Sequence, residues 1–193
     1  SNFENKIQDG VPLVLLLTTY ADALITDGQL KKIYSKMIGA VNTIGGQLVI
    51  KVHLQTPLNE IKSLFEDLGA TSAIFIRDTD LIKLSAACDL AYMVHTTAAH
   101  NVLMAQTPLI AVQPQEAQAQ LEAIYGFSQT AKIPVVALDG DLIAISQDLL
   151  KNKSRQKIQI DAGVRYLEEH SGPSDGKATE RFAEKIQELL KSS

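Results

Sequence analysis

The sequence predicts an α/β protein: a doubly wound, mostly parallel six-stranded sheet with helices on both faces and a helical C-terminus. Two observations carry that prediction. Apolar runs of strand length alternate with amphipathic runs of helix length almost throughout the chain, the pattern of successive β-α units. Within the strand runs, consecutive positions are apolar rather than every second one, which marks strands covered on both faces.

Taken in order, Leu13-Val14-Leu15-Leu16-Leu17 is the first strand, closed by Thr18-Thr19. Leu30, Ile33, Tyr34, Met37, Ile38 and Val41 then recur at three- and four-residue spacing, one face of a helix. Gly45-Gly46 ends it, and Gln47 to Val52 form the second strand. Pro57 suits the opening of a helix carrying Leu58, Ile61, Leu64, Phe65 and Leu68, with Gly69 at its C-terminal stop. Ser72 to Ile76 are the third strand, Asp80 to Ala87 a short helix, and Asp89 to Val94 the fourth strand. Ala98 to Ala105 are the next helix, followed by Pro108 to Val112, a strand whose proline stands first, where no ladder donor is lost. Gln115 to Tyr125 read as helix and Pro134 to Leu138 as the sixth strand. From Leu142 onward the pattern is helical, with a polar stretch at Lys151 to Lys157 that suits the surface and one break at Ser171-Gly172-Pro173.

At 193 residues the chain suits one Rossmann-like domain, from residue 12 to 193. Residues 1–11 read as an N-terminal extension, with Ser1-Asn2 resembling the remnant of a tag. With 18 basic against 22 acidic side chains, nucleic acid is not the expected partner. The single cysteine, Cys88, excludes an internal disulfide and any CxxC motif, and its setting between helix and strand suits the core. The longest purely apolar run is Leu13–Leu17, far short of the roughly 20 residues that span a bilayer, so no transmembrane segment is expected. The expected location is the cytoplasm, with peripheral contact at the inner membrane left open.

Right-handed crossovers bring every strand C-terminus to one edge, and ligands bind there where the strand order reverses. Three tracts fall on that edge: Thr18-Thr19-Tyr20, Lys51-Val52-His53 and His95-Thr96-Thr97. Thr96 or Thr97 is a natural N-cap for the helix at Ala98, and threonine hydroxyls beside free backbone N–H groups also suit an anion. Capping alone explains one Thr-Thr pair; three polar tracts on one edge favour phosphate binding, through Thr18, Thr19, His95, Thr96 and Thr97. His53, at the end of a buried strand, is the candidate catalytic side chain. His95 and His100 lie five apart with no third ligand close by, so no metal site is expected. Glycine-rich dinucleotide and Walker A loops are absent, as is a GxSxG elbow. Glu168-Glu169 and Asp139-Gly140-Asp141 suit solvated surfaces.

Four stretches together resemble a known group. Ile50-Lys51-Val52-His53 resembles a strand ending in Lys-x-His-Pro. Asp80-Leu81-Ile82-Lys83-Leu84 through Cys88-Asp89-Leu90 resembles the segment that precedes a donor site. His95 to Asn101, followed by Gln106-Thr107-Pro108-Leu109-Ile110, is similar to a Ser/Thr-rich loop, helix and G-x-P-x-I strand. Asp175-Gly176-Lys177-Ala178-Thr179-Glu180-Arg181 is similar to the opening of a last helix. The group is the C-terminal, nucleotide-sugar-binding domain of GT-B glycosyltransferases of the bacterial surface-polysaccharide type, with the UDP-GlcNAc 2-epimerases as relatives in fold.

The resemblance spans about residue 12 to residue 190 and implies a UDP-, CMP- or CDP-linked sugar donor as substrate, with no further cofactor. It places His53, Thr96 and Thr97 on the donor phosphates and Asn101 on the ribose. It also implies an N-terminal GT-B domain as partner, so that this chain is half of a two-domain enzyme. The sequence departs from the pattern at three places: Leu54 stands for the proline after the histidine, Asn101 for a glutamate, and Gln106 for a glycine. An amide holds ribose hydroxyls without the charge-assisted strength of a carboxylate. Two other readings follow from the same likeness, a non-catalytic interaction domain that keeps the fold and a 2-epimerase relative. The second lacks clustered carboxylates for its acid–base steps.

Overall fold

The computed structural model describes residues 7–173 and 175–191. In chain order they form β1 (Leu13–Leu17), α1 (Asp27–Thr43), β2 (Gln47–Lys51), α2 (Leu58–Asp67), β3 (Ile74–Ile76), α3 (Leu81–Ala86), β4 (Leu90–Met93), α4 (Ala99–Met104), β5 (Leu109–Val112), α5 (Gln115–Tyr125), β6 (Val135–Val136), α6 (Leu142–Lys151), α7 (Lys153–Ser171) and α8 (Ala178–Lys191). Every strand pairing is parallel, and the order is β3-β2-β1-β4-β5-β6. Strand order therefore reverses between β1 and β4, which fixes the switch point of the doubly wound sheet.

The continuous apolar runs have a direct structural cause. Val14 and Leu16 of β1 point into a core built with α1, α2, α5 and α6, while Leu13, Leu15 and Leu17 point into a second core with α3, α4 and α7. Since successive strand side chains alternate between faces, only an all-apolar strand can fill both cores. Cys88 lies in the second core, where burial pushes its thiol up to about 12.

Local chemistry sets the boundaries. α1 begins a turn before Leu30 because Thr26 and Gln29 form a capping box, a signal that apolar periodicity alone passes over. The strands at positions three, four and six are shorter than their apolar runs, β6 reduced to Val135–Val136. The C-terminal helical region carries a second break besides the one at Ser171-Gly172-Pro173. Asn152 ends α6 in an extended conformation, and its side chain caps α7 by accepting from the Arg155 N–H. Gly163 lets α7 lie close on α4, since a Cβ there would sit 2.9 Å from Leu103 Cδ2. α8 buries none of its residues, and Phe182, Ile186, Leu189 and Leu190 are exposed along it. No helix among the described residues is long and apolar enough to cross a membrane.

Candidate functional site

The C-terminal edge of β1, β2 and β3 carries a cavity of about 460 Å³. Its polar lining is Thr18, Lys51, His53, Arg77, Asp78 and Thr96, with Leu17, Val52 and Leu81 among its apolar walls. The cavity thus draws on each of the three tracts on the ligand-binding edge, with Thr18 from the first, Lys51 and His53 from the second and Thr96 from the third.

Thr18 builds the first corner. It is buried, its hydroxyl donates to the Lys51 carbonyl (3.1 Å), and the same oxygen accepts the His53 N–H (2.9 Å). The hydroxyl therefore fastens the end of β1 to the end of β2 and fixes the backbone that presents His53. The His53 ring lies edge-on to Tyr20 at 5.4 Å between centroids, and its Nδ1 accepts the Gln55 N–H at 3.3 Å. With Nδ1 an acceptor, the neutral ring carries its proton on Nε2, as a donor.

The cations lie on the neighbouring strand ends. Lys51 Nζ donates to the carbonyl of Arg77 and, at 3.3 Å, to that of Val52. The Arg77 guanidinium donates to the Leu54 carbonyl and so braces the loop after β2 against the loop after β3. Burial lowers the Lys51 ammonium from its usual range, and the Arg77 charge adds to this while Asp78 opposes it.

The β4 end is built differently. His95 is only 7% exposed, and its Nε2 donates to Asp22 Oδ2 at 2.8 Å. Asp22 Oδ1 accepts the backbone N–H groups of Leu24 and Ile25. Burial raises the Asp22 carboxyl, but its hydrogen bonds outweigh that and hold it below the usual carboxylate range. The buried His95 Nδ1 has no hydrogen-bond partner among the described residues. Thr96 Oγ1 accepts the Ala98 N–H, so it closes the turn before α4, and Ala98 rather than a threonine takes the N-cap position. Thr97 is exposed, its carbonyl accepting from the His100 N–H and facing His100 Nδ1 at 2.9 Å.

Of the residues singled out in the sequence, the cavity brings together Thr18, His53 and Thr96. Thr19, His95, Thr97 and Asn101 are not among its lining. The Thr19 N–H and carbonyl are both engaged by the buried Tyr34 hydroxyl, at 3.0 and 2.9 Å. Asn101 lies half-buried on the first turn of α4. Lys51 lay within one of the three tracts but was given no role of its own, whereas Arg77 and Asp22 have no local signal, since only the sheet order brings them to the other strand ends.

No protein-family model matches the sequence, and no curated protein matches it either. The fold, however, is shared with solved structures. A Listeria monocytogenes protein assigned as a UDP-N-acetylglucosamine 2-epimerase aligns with a TM-score of 0.64 at 16% identity, over 98% of this chain and 48% of its own. The UDP-GlcNAc 2-epimerase of Neisseria meningitidis, bound to UDP-GlcNAc, aligns at 0.61 and 13% identity, over 95% and 46%. The glycosyltransferase SnogD of Streptomyces nogalater aligns at 0.53 and 15% identity, over 86% and 41%. The chain spans less than half the length of each of these structures. Its architecture is that of a GT-B C-terminal-like domain, as the motif resemblance implied.

Proposed function

We propose that this chain is the donor-binding half of a two-domain GT-B-type glycosyltransferase that builds surface polysaccharide or glycoconjugate from a UDP-, CMP- or CDP-linked sugar. The observation that carries this reading is the cavity beside the switch point, where Thr18, His53 and Thr96 from three separate strand ends meet around a space large enough for a nucleotide. The fold shared with an epimerase bound to UDP-GlcNAc supports the same class of ligand.

The geometry suggests a division of roles. His53 donates through Nε2 to a phosphate oxygen of the donor, and the bond strengthens as the leaving phosphate gains charge. Thr18 is a positioning residue, holding the His53 backbone through its hydroxyl. Thr96 and Thr97 offer hydroxyls at the turn before α4, and Asn101 offers an amide for the ribose. Thr19 and His95 serve the same edge from behind, as supports rather than ligands. The catalytic base and the acceptor site belong to an N-terminal domain that closes over this edge, in the cytoplasm or at the inner membrane surface.

Thermal unfolding with UDP, CDP and CMP tests the reading. A nucleotide present at a hundred times its Kd stabilises the native state by about 2.7 kcal/mol, a readily measured rise in Tm. His53→Ala and Thr96→Ala should each shrink that rise while leaving the ligand-free Tm close to wild type. No shift with any of the three at millimolar concentration would end this proposal.

A further inference from the structure

At the end of the sheet opposite the strand-end site, a second cavity of about 500 Å³ lies where α6 gives way to α7. It sits against the starts of β5 and β6. Gln159 on its wall holds both the N–H and the carbonyl of Leu109, and Pro134 directly precedes Val135. Leu149, Pro134 and Ile158 supply its apolar surface, Ile158 being 63% exposed. Its polar side chains fall into two groups. The amides are already engaged, Gln159 with Leu109, and Asn152 with the Arg155 N–H and Asp148. The Lys132 ammonium and the Ser154 hydroxyl have no partner among the described residues, and the Arg155 guanidinium gives only one nitrogen to Asp148. Carboxylates do not balance these donors. Asp148 stands beside the cavity rather than in its lining, and both its oxygens are taken, by Arg155 and Asn152. Asp161 pairs with Lys157, while Lys132, Lys151 and Lys153 have no carboxylate within ion-pairing distance among the described residues. This end therefore carries excess positive charge on a chain whose net charge is −4.

We infer that this cavity binds a phosphate monoester carried on an aliphatic body, as a soluble metabolite or as a phospholipid headgroup. A dianionic phosphate matches Lys132 and Arg155 and takes the Ser154 hydroxyl as a third donor, while the body covers Leu149, Pro134 and the exposed Ile158. A carboxylate brings one charge and two oxygens to the same three groups, and is the weaker match. Lys151 and Lys153 add attraction from the surrounding surface. Lys132 itself has φ of 56°, in the left-handed region that favours glycine. The backbone gives no reason for a lysine at that position, whereas an ammonium at the cavity does. The site lies across the sheet from Thr18, His53 and Thr96, and it does not depend on the function proposed above.

Backbone amide NMR shifts of the full chain, titrated with hexyl phosphate, inorganic phosphate, hexanoate and hexanol, test it. Hexyl phosphate is expected to move the amides of residues 132–135 and 149–159, and to bind at least tenfold more tightly than each of the other three. Lys132→Gln and Arg155→Gln should each weaken hexyl phosphate fivefold or more. Arg155→Lys keeps the charge and should recover part of the loss, which separates binding from the structural effect of losing the Asp148 pair. Ile158→Ser should remove most of the advantage over inorganic phosphate without changing the affinity for inorganic phosphate itself. Replacing Lys31 and Lys32 of α1 together by Gln should leave binding unchanged. Vesicles of phosphatidylcholine with and without phosphatidic acid distinguish the two sources. Retention that requires phosphatidic acid and is lost in Ile158→Ser assigns a lipid headgroup, and hexyl phosphate binding without retention assigns a soluble ester. The inference is overturned if hexyl phosphate binds no more tightly than inorganic phosphate, or if its shifts fall only at the strand-end site. Equal loss in the α1 control, or vesicle retention without hexyl phosphate binding, overturns it too, since either would reflect general surface charge rather than this cavity.

Discussion

The ends of β2 and β4 each present a histidine among polar neighbours on the same edge of one sheet, yet their polar groups face opposite fates. At the β2 end, Lys51 and His53 open onto a cavity. At the β4 end, His95 is buried and engaged by Asp22, while Thr96 lines the cavity with a hydroxyl that accepts the Ala98 N–H and keeps its own proton to donate. A strand-end histidine is therefore not a ligand by virtue of its place. What matters is whether neighbouring loops supply its partner, because a side chain already hydrogen-bonded and out of water gives little further energy to a ligand. On the function proposed above, the β2 end is binding surface together with Thr96, and the His95 side of the β4 end is its support.

The largest expected effect separates the two histidines. His95→Ala removes a buried ring and its bond to Asp22, and should lower stability by about 2–3 kcal/mol. His53→Ala, on a half-buried ring, should cost well under about 1 kcal/mol while weakening nucleotide binding. Urea unfolding of the two variants measures the contrast. Equal losses would remove the distinction between surface and support.

Thr18 joins the two regions and comes next. Thr18→Val keeps the shape but strips the hydroxyl from the Lys51 carbonyl and leaves the His53 N–H without its acceptor. The expected loss is about 1–2 kcal/mol. Nucleotide affinity should fall as well, because His53 is held by that bond. A variant that loses stability but binds nucleotide normally would show that His53 needs no such bracket.

The fold was largely legible because the sheet is buried on both faces, and double burial writes itself into consecutive apolar residues such as those of β1. The C-terminal break at Asn152 was less so, since one asparagine acting as both stop and cap leaves the apolar pattern on either side helical. For the site, position on the edge was legible and engagement was not. His53 and His95 look alike in sequence, and only the approach of Asp22, 73 residues away, distinguishes them. Arg77 was hidden for the same reason, since it reaches the Leu54 carbonyl only because β2 and β3 are neighbours.

A smaller effect of opposite sign is expected on the segment that carries the β4 tract. Gln106, between α4 and β5, has φ of 58°, in the left-handed region that favours glycine. This gives a physical reason for the glycine that the resemblance places there. Gln106→Gly should relieve the left-handed strain, partly offset by the greater freedom of glycine in the unfolded chain, for a net gain of about 0.5–1 kcal/mol. Its melting temperature should rise with nucleotide affinity unchanged. A fall in affinity would instead make this segment part of the binding surface.

The smallest expected effect is one of pH, and it tests the support directly. Asp22 is held below its usual range by hydrogen bonds from Leu24, His95 and Ile25, which outweigh the opposing effect of burial. A carboxyl depressed in the folded state contributes stability above its unfolded pKa, near about 3.9, and loses it as pH falls through the lower folded value. Asp22→Asn should therefore flatten the acid limb of the stability profile below about pH 4, with little change in its slope near neutrality. Asp175 offers the control. The Arg181 guanidinium holds its carboxyl low as well, but on the fully exposed approach to α8, where water and salt screen the pair. Asp175→Asn should leave the acid limb close to wild type. If the two variants flatten it equally, the Asp22–His95 pair supports the β4 end no more firmly than an ion pair in solvent.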